Sequence, residues 1–188
     1  MWGGDKLKST YMRYIHNKGN EVITIDISDN CDIKCNLEID KIPLEDDSVE
    51  IVFCFNVLEH IYNHKHALSE IYRILKPNGK LYLSVPFLLN KHADPYDFFR
   101  YTDTTLDRLH NDIGFKKLQQ KTLYGAGKVA HQTLSWIFSN SKLSIIGKIF
   151  NIIFGFVFVG IDRIMDSFNK TKKMNKAFVI TYFMEYQK

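Results

Sequence analysis

The fold is decided by residues 49–86, which read VEIVFCFNVLEHIYNHKHALSEIYRILKPNGKLYLSVP. Residues 49–55 are almost continuously apolar, which is typical of a strand that is covered on both faces. Residues 77–79 read Pro-Asn-Gly and predict a turn, after which residues 80–86 form a second apolar strand. Between the two strands, apolar residues recur on one helical face, at Ala67, Leu68, Ile71, Ile74 and Leu75. The stretch therefore predicts a strand–helix–strand unit.

Strand-like and helix-like patterns also alternate on both sides of this unit. The periodicity predicts a helix over 7–15, strands over 21–26 and 31–37, a helix over 104–113, a strand over 116–123, helices over about 127–138 and 142–168, and a strand over 177–184. This alternation implies βαβ crossovers and an α/β fold with a largely parallel sheet. We therefore expect an α/β core at 1–125, a helical insertion at 126–176 and a final sheet strand within 177–188.

The composition is that of an ordinary globular chain of 188 residues, with 45% hydrophobic and 24% charged residues. A formal charge of +4 is mild, so we expect no nucleic acid partner. The first residues, MWGGDKLKS, contain no apolar segment of the secretory type, and an odd count of three cysteines fits a reducing cytoplasm. Cys31 and Cys35 have no second Cys or His pair at zinc-finger spacing, so we interpret them as plain thiols and predict no metal site.

Polar residues follow two of the predicted strands, and ligands bind at such strand ends in doubly wound sheets. Asp26 ends its strand and can accept the hydroxyl hydrogens of a ribose, with a turn cap as an equal alternative. Asn36 and Leu37 follow the next strand and can face an adenine edge, although an Asn turn is the better interpretation of Asn36 alone.

Further polar residues follow the two strands of the deciding stretch. Glu59 and His60 come soon after residues 49–55; His60 suits a base near neutral pH, whereas we favour a structural role for Glu59. The segment 87–102 carries His92, Asp94, Asp97 and Arg100 among aromatic residues. This composition predicts a lid over a pocket, or a loop that is packed by its own aromatic rings.

Several short motifs stand in a fixed order along the chain. They are Ile42-Pro43-Leu44, Ser48-Val49-Glu50, Leu58-Glu59-His60 and Leu75-Lys76-Pro77-Asn78-Gly79, followed by HADPYDFFRYT at 92–102. In order and spacing they resemble the methyltransferase type 11 branch of the class I S-adenosylmethionine-dependent methyltransferases, over roughly residues 3–125. The resemblance implies a Rossmann-like, doubly wound methyltransferase sheet and S-adenosyl-L-methionine as the cofactor.

The resemblance also implies where that cofactor binds. In relatives, the acid at the position of Asp26, with Ile27 beside it, meets the ribose hydroxyls. The loops at the positions of Asn36–Leu37 and Asn56–Val57 flank the adenine and the methionine portion. The glycine loop that ends the family's first strand lies about twenty residues before the acid. Only Gly3 and Gly4 stand there, so we expect a sheet that lacks its first strand and a natural start further upstream.

Two functions of different class remain open from the sequence. The first is methyl transfer to a small-molecule or lipid-linked acceptor, with His60 and His92 as candidate bases and Asp94 or Asp97 as the group that orients them. The second is a catalytically inactive, methyltransferase-like remnant that acts as a binding or membrane-surface module. A nicotinamide dehydrogenase of similar sheet type is disfavoured, because the motifs around 49–86 resemble those of methyltransferases.

The segment 143–161 is apolar and nearly long enough to span a bilayer. If the strands on either side of it are antiparallel neighbours in one sheet, both of its ends must return to the same side. We therefore expect a helix that packs on the domain, meets a second copy or lies in a membrane interface, where the lysines at 170–176 suit anionic lipid. The expected location is cytoplasmic, with peripheral membrane contact as an open alternative.

Overall fold

The structure, a computed structural model, describes residues 21–92, 96–139 and 144–188. The helix predicted over 7–15 lies outside these ranges, as do Gly3, Gly4 and Asp94. In the described ranges, strands and helices alternate along the chain, which confirms the predicted α/β class.

The strands of the described ranges form two sheets. β1 (Ile25–Asp26) and β2 (Ile33–Lys34) pair in parallel as a small sheet of their own. A larger sheet has the order β3-β4-β6-β5 and consists of β3 (Val49–Phe55), β4 (Leu75–Pro86), β5 (Lys116–Tyr124) and β6 (Val179–Gln187). β3 and β4 are parallel, whereas β6 runs antiparallel to β4 and to β5. The larger sheet is therefore less parallel than the alternation of elements predicted.

Helices connect these strands. They are α1 (His64–Ile74), α2 (Asp103–Ile113), α3 (Ala126–Ser139), α4 (Ser144–Ser167) and α5 (Asn169–Lys176), and a short 3-10 helix, Leu58–His60, follows β3. α2 begins after Thr102, whose hydroxyl accepts a hydrogen bond from the Thr105 amide at 3.2 Å, and ends at Gly114 in the left-handed conformation. Three helices, α3, α4 and α5, lie between β5 and β6, in the range for which the helical insertion was predicted.

The hydrophobic core lies between the larger sheet and helices α1 and α2. Leu81, Leu83 and Val85 alternate along β4 and are each at most 1% exposed. Leu68 of α1 and Leu106 of α2 are fully buried in the same cluster. Because β3 pairs with β4 along this core, the segment that follows β3 is held in place at the carboxyl end of the sheet.

Residues 77–79, which were predicted as a turn, lie inside β4 and do not precede it. Val49 pairs with Leu75, but Ile51 already pairs with Lys80, so the intervening residues of β4 bulge out of the ladder. Asn78 adopts a φ of 66° in this bulge, a conformation that Asn tolerates better than most residues. At residues 77–79 the structure therefore has a bulge within a continuous strand in place of the predicted turn.

The helical insertion is held together at the N-terminus of α3. Asp162 of α4 is buried and accepts hydrogen bonds from the Gly127 amide at 2.8 Å and the Lys128 amide at 3.1 Å. Gly127 is required for this close approach, because a Cβ atom there would lie 2.2 Å from the Phe158 carbonyl oxygen. The carboxylate thus caps one helix from the neighbouring helix.

The ends of the insertion return to neighbouring strands, as the topology of the segment 143–161 predicted. β5 leads into α3, α5 leads into β6, and β5 and β6 are antiparallel partners. Among the described residues, no helix combines the length and the apolar character that crossing a bilayer requires.

The buried His110 makes the stability of this fold depend on pH. Its Nδ1 lies 2.7 Å from the Leu106 carbonyl oxygen, its ring stacks on Tyr186 at 3.8 Å, and burial lowers its pKa to about 4. An unfolded histidine has a pKa of about 6.5, so the unfolded chain binds the proton first as the pH falls. The free energy of unfolding should therefore fall by up to about 3 kcal/mol as the pH drops from about 6.5 to about 4. Above pH 6.5 the titration of His110 should not change the stability.

Urea unfolding at several pH values checks this prediction. The variant His110→Phe keeps a ring on Tyr186 and removes the titrating group, so its stability should fall less steeply with acid than that of the wild type. Equal slopes for the two proteins would show that His110 does not carry the effect.

Candidate cofactor cleft

A cleft of about 200 Å³ lies where the carboxyl ends of β1, β2 and β3 come together. Asp26 and Ile27 line it from β1, and residues 35–38 line it after β2. Val57, His60 and Ile61 line it after β3, and Tyr96 and Phe98 line it from the segment after β4. The structure therefore brings most of the sequence-predicted cofactor residues into one hollow.

Asp26 both lines the cleft and holds the backbone of its own turn. Its side chain is 7% exposed, and one carboxylate oxygen accepts a hydrogen bond from the Ser28 amide at 2.8 Å. Its carbonyl oxygen accepts a hydrogen bond from the Cys35 amide at 2.9 Å, which links β1 to the segment after β2. The two interpretations from the sequence, turn cap and ligand-facing acid, are thus compatible, because a carboxylate has about four acceptor positions.

Asn36 and Leu37 form the second wall. The Asn36 side-chain oxygen accepts a hydrogen bond from the Glu38 amide at 3.1 Å, which is the predicted Asn turn. The Asn36 amide donates to Asp40 at 2.8 Å, so this turn is fixed from both sides. Leu37 lines the cleft beside it and supplies apolar surface.

The third wall contains Val57 but not Asn56. Asn56 has a φ of 52°, and its amide donates to the Ser84 carbonyl oxygen at 2.9 Å. Its side-chain oxygen lies 3.2 Å from the Ser84 hydroxyl, so the side chain is engaged with β4. The structure thus places Val57 with Asp26 in the cleft and Asn56 against the neighbouring strand.

Glu59 is the most deeply buried charged side chain beside the cleft. It is 0% exposed, and among the described residues no hydrogen-bond donor reaches either of its carboxylate oxygens. One of these oxygens lies 3.7 Å from His60 Nε2 and 3.9 Å from His92 Nε2. Burial raises the pKa of Glu59 to about 7. We refer to Glu59, His60 and His92 as the Glu-His-His cluster.

Both histidines of the cluster are oriented by the segment that follows β4. His60 Nδ1 lies 2.5 Å from the Tyr96 carbonyl oxygen, and burial lowers the pKa of His60. The His92 amide donates to Asp97 at 2.9 Å, and Arg100 donates two hydrogen bonds to the same carboxylate, at 2.5 and 2.7 Å. The hydrogen bonds from Arg100 lower the pKa of Asp97 to about 2. Asp97 thus positions His92, one of the two orienting roles that the sequence suggested.

Residues 96–101, a described part of the segment after β4, are also packed by aromatic rings. The amides of Phe98 and Phe99 donate to the Glu59 carbonyl oxygen at 2.9 and 3.2 Å, which fastens the segment to the 3-10 helix. Tyr62 contacts Phe98 and Phe99, with ring centroids 5.4 and 5.9 Å apart. The segment therefore forms a lid of aromatic residues at one end of the cleft.

Parts of this chain are similar to known methyltransferases. The sequence model of the methyltransferase domain family matches residues 7–83. An uncharacterised methyltransferase of Schizosaccharomyces pombe is 37% identical over 107 residues, which are 50% of this chain and 41% of that protein. A probable S-adenosylmethionine-dependent methyltransferase of Mycolicibacterium smegmatis is 39% identical over 46 residues, which are 24% of this chain and 18% of that protein. The matches thus span less than half of these relatives.

Solved structures show the same fold. A methyltransferase of Archaeoglobus fulgidus aligns with a TM-score of 0.60 and 17% identity, over 95% of this chain and 80% of that one. A methyltransferase of Mesorhizobium loti aligns with a TM-score of 0.54 and 11% identity, over 95% of this chain and 86% of that one. Both are described as S-adenosylmethionine-dependent. At these identities the likeness concerns the fold alone.

The residues of the cleft fit the cofactor of that family. A buried carboxylate, Asp26, faces the same hollow as the apolar side chains of Leu37 and Val57, which is the combination that a ribose and a flat base require. The motifs, the match over residues 7–83 and the fold agree with one another. Residues 7–83 match the methyltransferase domain family, and the chain has the fold of solved S-adenosylmethionine-dependent methyltransferases.

Proposed function

We propose that this chain binds S-adenosylmethionine in the cleft and transfers its methyl group to an acceptor held beneath the aromatic lid. The observation that carries the proposal is the position of Asp26, a buried acid that lines the same hollow as Asn36, Leu37 and Val57. When bound, the cofactor supplies an electrophilic methyl group on sulfur. The nucleophile of the acceptor forms the new bond as the bond from sulfur to methyl breaks.

Each wall of the cleft has a part in this reaction. Asp26 would accept the hydroxyl hydrogens of the ribose, and Leu37 and Val57 would pack against the base. Tyr96 and Phe98 would exclude water from the acceptor end, where His60 also lines the cleft. Holding the two reactants in line accounts for much of the rate in such a reaction. The Glu-His-His cluster is the group that would act on the acceptor there.

Isothermal titration of the full chain with S-adenosylmethionine and S-adenosylhomocysteine tests the proposal. We expect both to bind at one site per chain. If neither ligand gives heat or shifts the melting temperature, the alternative of an inactive, methyltransferase-like binding module is favoured.

For the acceptor, the insertion favours a lipid-linked substrate at a membrane surface. Phe156, Ile164 and Phe168 are 84%, 65% and 64% exposed. Phe156 and Ile164 lie about two turns apart along one side of α4, and Phe168 directly follows its last residue. The opposite side of α4 carries Asp162, which faces α3. Four exposed lysines adjoin the apolar side at its C-terminal end, Lys170, Lys172, Lys173 and Lys176. Exposed aromatic residues beside lysines are typical of a helix that lies on anionic lipid.

Flotation with vesicles checks this contact. The chain should float with vesicles of phosphatidylcholine and phosphatidylserine, and Phe156→Glu should weaken binding about tenfold or more, because burying a phenylalanine is worth about 1.5–3 kcal/mol. Ile39→Glu is the matched control, since Ile39 is 73% exposed far along the chain from the insertion. Equal flotation of Phe156→Glu and Ile39→Glu would contradict the proposed contact.

A further inference from the structure

The buried carboxylate of Glu59 lacks the partners that such a group needs. It is 0% exposed, and in residues 21–92, 96–139 and 144–188 no donor is within hydrogen-bonding distance of either oxygen. A buried charge is costly unless it is paired, hydrogen-bonded or bound to a metal ion. The side chain is therefore stable either in its protonated form or beside a cation.

The two neighbouring imidazoles present nitrogen atoms to this carboxylate. His60 Nε2 and His92 Nε2 lie 3.7 and 3.9 Å from the same oxygen of Glu59, and the three ligand atoms all lie within 4.8 Å of one another. His60 Nδ1 donates to the Tyr96 carbonyl oxygen at 2.5 Å, so Nε2 is the nitrogen that faces Glu59. A ligating histidine is commonly fixed in this way, by a hydrogen bond from its other nitrogen to a carbonyl or a carboxylate.

His92 has the same kind of support on its other nitrogen. Its Nδ1 lies 3.3 Å from the Asn90 carbonyl oxygen and 3.6 Å from the Asp97 carboxylate. Arg100 also approaches this nitrogen, at 3.4 Å, but its charge is balanced by Asp97, to which it donates two hydrogen bonds. The charges of Arg100 and Asp97 offset each other in this ion pair. The ionised form of Glu59 then leaves a negative charge beside the two imidazoles, and that charge favours a cation.

We propose that Glu59, His60 and His92 bind a divalent transition-metal ion of the zinc type. One carboxylate oxygen and two imidazole nitrogens are ligands that zinc accepts, at about 2.0–2.1 Å. Tetrahedral ligands at that distance lie about 3.3 Å apart. The Glu59 oxygen and the two nitrogens must therefore approach by roughly half an ångström, and the two nitrogens must approach each other by up to about 1.5 Å. The sequence does not reveal this site through motif spacing, because His92 lies far along the chain from Glu59 and His60.

Three protein ligands leave one coordination position open, which is typical of a catalytic metal site. His60 and its partner Tyr96 both line the cleft, so the cluster adjoins the acceptor end. This consequence rests on the proposed function: an acceptor with a hydroxyl or carboxylate oxygen would bind the ion there. A hydroxyl bound to the ion would release its proton to water more readily than a free one, which would prepare the oxygen for methylation.

Cobalt(II) titration of the metal-free full chain tests the inference, with zinc added afterwards as competitor. We expect one cobalt per chain, a visible absorption band from nitrogen and oxygen ligands, and displacement by zinc. Glu59→Gln and His92→Gln should each weaken binding tenfold or more, while circular dichroism shows that they remain folded. His66→Gln should leave binding unchanged, because His66 lies outside the cluster and its Nε2 pairs with the Asp40 carbonyl oxygen.

Three results would overturn the metal site: no bound cobalt, binding that survives both cluster substitutions, or a sulfur-to-cobalt band that assigns the ion to the thiols. Titration of the same metal-free sample with S-adenosylhomocysteine separates this inference from the proposed function. Cofactor binding without cobalt binding removes the metal site alone. Cobalt binding without cofactor binding removes the proposed function alone.

Discussion

Asp26→Asn is expected to weaken binding of S-adenosylhomocysteine roughly a hundredfold. The amide keeps an oxygen for the Ser28 amide, which now donates to the carboxylate at 2.8 Å, so the turn should persist. What is lost is a charged acceptor for the ribose hydroxyls, and hydrogen bonds to charged groups are worth about 1.5–3 kcal/mol. Because 1.4 kcal/mol corresponds to a factor of ten, isothermal titration can measure this change directly.

Asp29→Asn is the matched control for that experiment. Asp29 stands three residues further along, its side chain is 87% exposed, and it pairs with Lys34 rather than lining the cleft. Its substitution should change the affinity less than twofold, since exposed ion pairs contribute little. A similar loss of affinity in both variants would indicate a general effect of charge and would argue against a specific contact at Asp26.

Asp162→Ala is expected to lower the free energy of unfolding by about 3 kcal/mol. The carboxylate is 2% exposed and receives the amides of Gly127 and Lys128 and the Lys128 ammonium group, the last at 3.0 Å. Its removal deletes the cap of α3 and leaves amide groups at the α3–α4 contact without an acceptor, each of which costs about 1–3 kcal/mol. Urea unfolding followed by circular dichroism measures the loss.

Asp166→Ala provides the comparison within the same helix. Asp166 lies one turn further along α4 and accepts weaker contacts, from Asn175 at 3.1 Å and from the Tyr124 hydroxyl at 3.5 Å. We expect a loss of about 1 kcal/mol or less there. If Asp162→Ala is no more destabilising than Asp166→Ala, then the capping of α3 by α4 does not stabilise the insertion.

Three strands of the larger sheet, β3, β4 and β6, could be predicted because they are rich in apolar residues, and α1 could be predicted because its apolar residues recur on one helical face. Residues 49–55 were predicted as a strand and form β3 with the same bounds. β1 and β2 are shorter than predicted, at two residues each. Next to them, the Asp32 carboxylate accepts the amide and hydroxyl hydrogens of Thr24, at 2.9 and 2.6 Å. Such hydrogen bonds from a side chain to the backbone replace the regular hydrogen bonds between strands. They do not change the pattern of apolar residues, so the sequence does not reveal them.

The cofactor cleft could be predicted in part, because the carboxyl ends of strands meet at one edge of a sheet. Asp26, Asn36 and Val57 follow this rule and line one hollow. The Glu-His-His cluster could not be predicted, since Glu59 and His92 are far apart along the chain and meet only because the lid segment docks on the 3-10 helix. The sequence does contain one indication that His92 is positioned. Asp97 and Arg100 have the i, i+3 spacing of an ion pair, and Asp97 accepts the His92 amide.

The central claim is that the hollow between the ends of β1, β2 and β3 holds the cofactor. The most direct measurement is ultraviolet crosslinking of S-adenosylmethionine with a tritiated methyl group, followed by mass spectrometry of the labelled peptides. We expect the label within residues 25–38 or 57–61, and its loss when excess S-adenosylhomocysteine competes. A label confined to the helical insertion at 126–176, or one that the competitor does not displace, would contradict the claim.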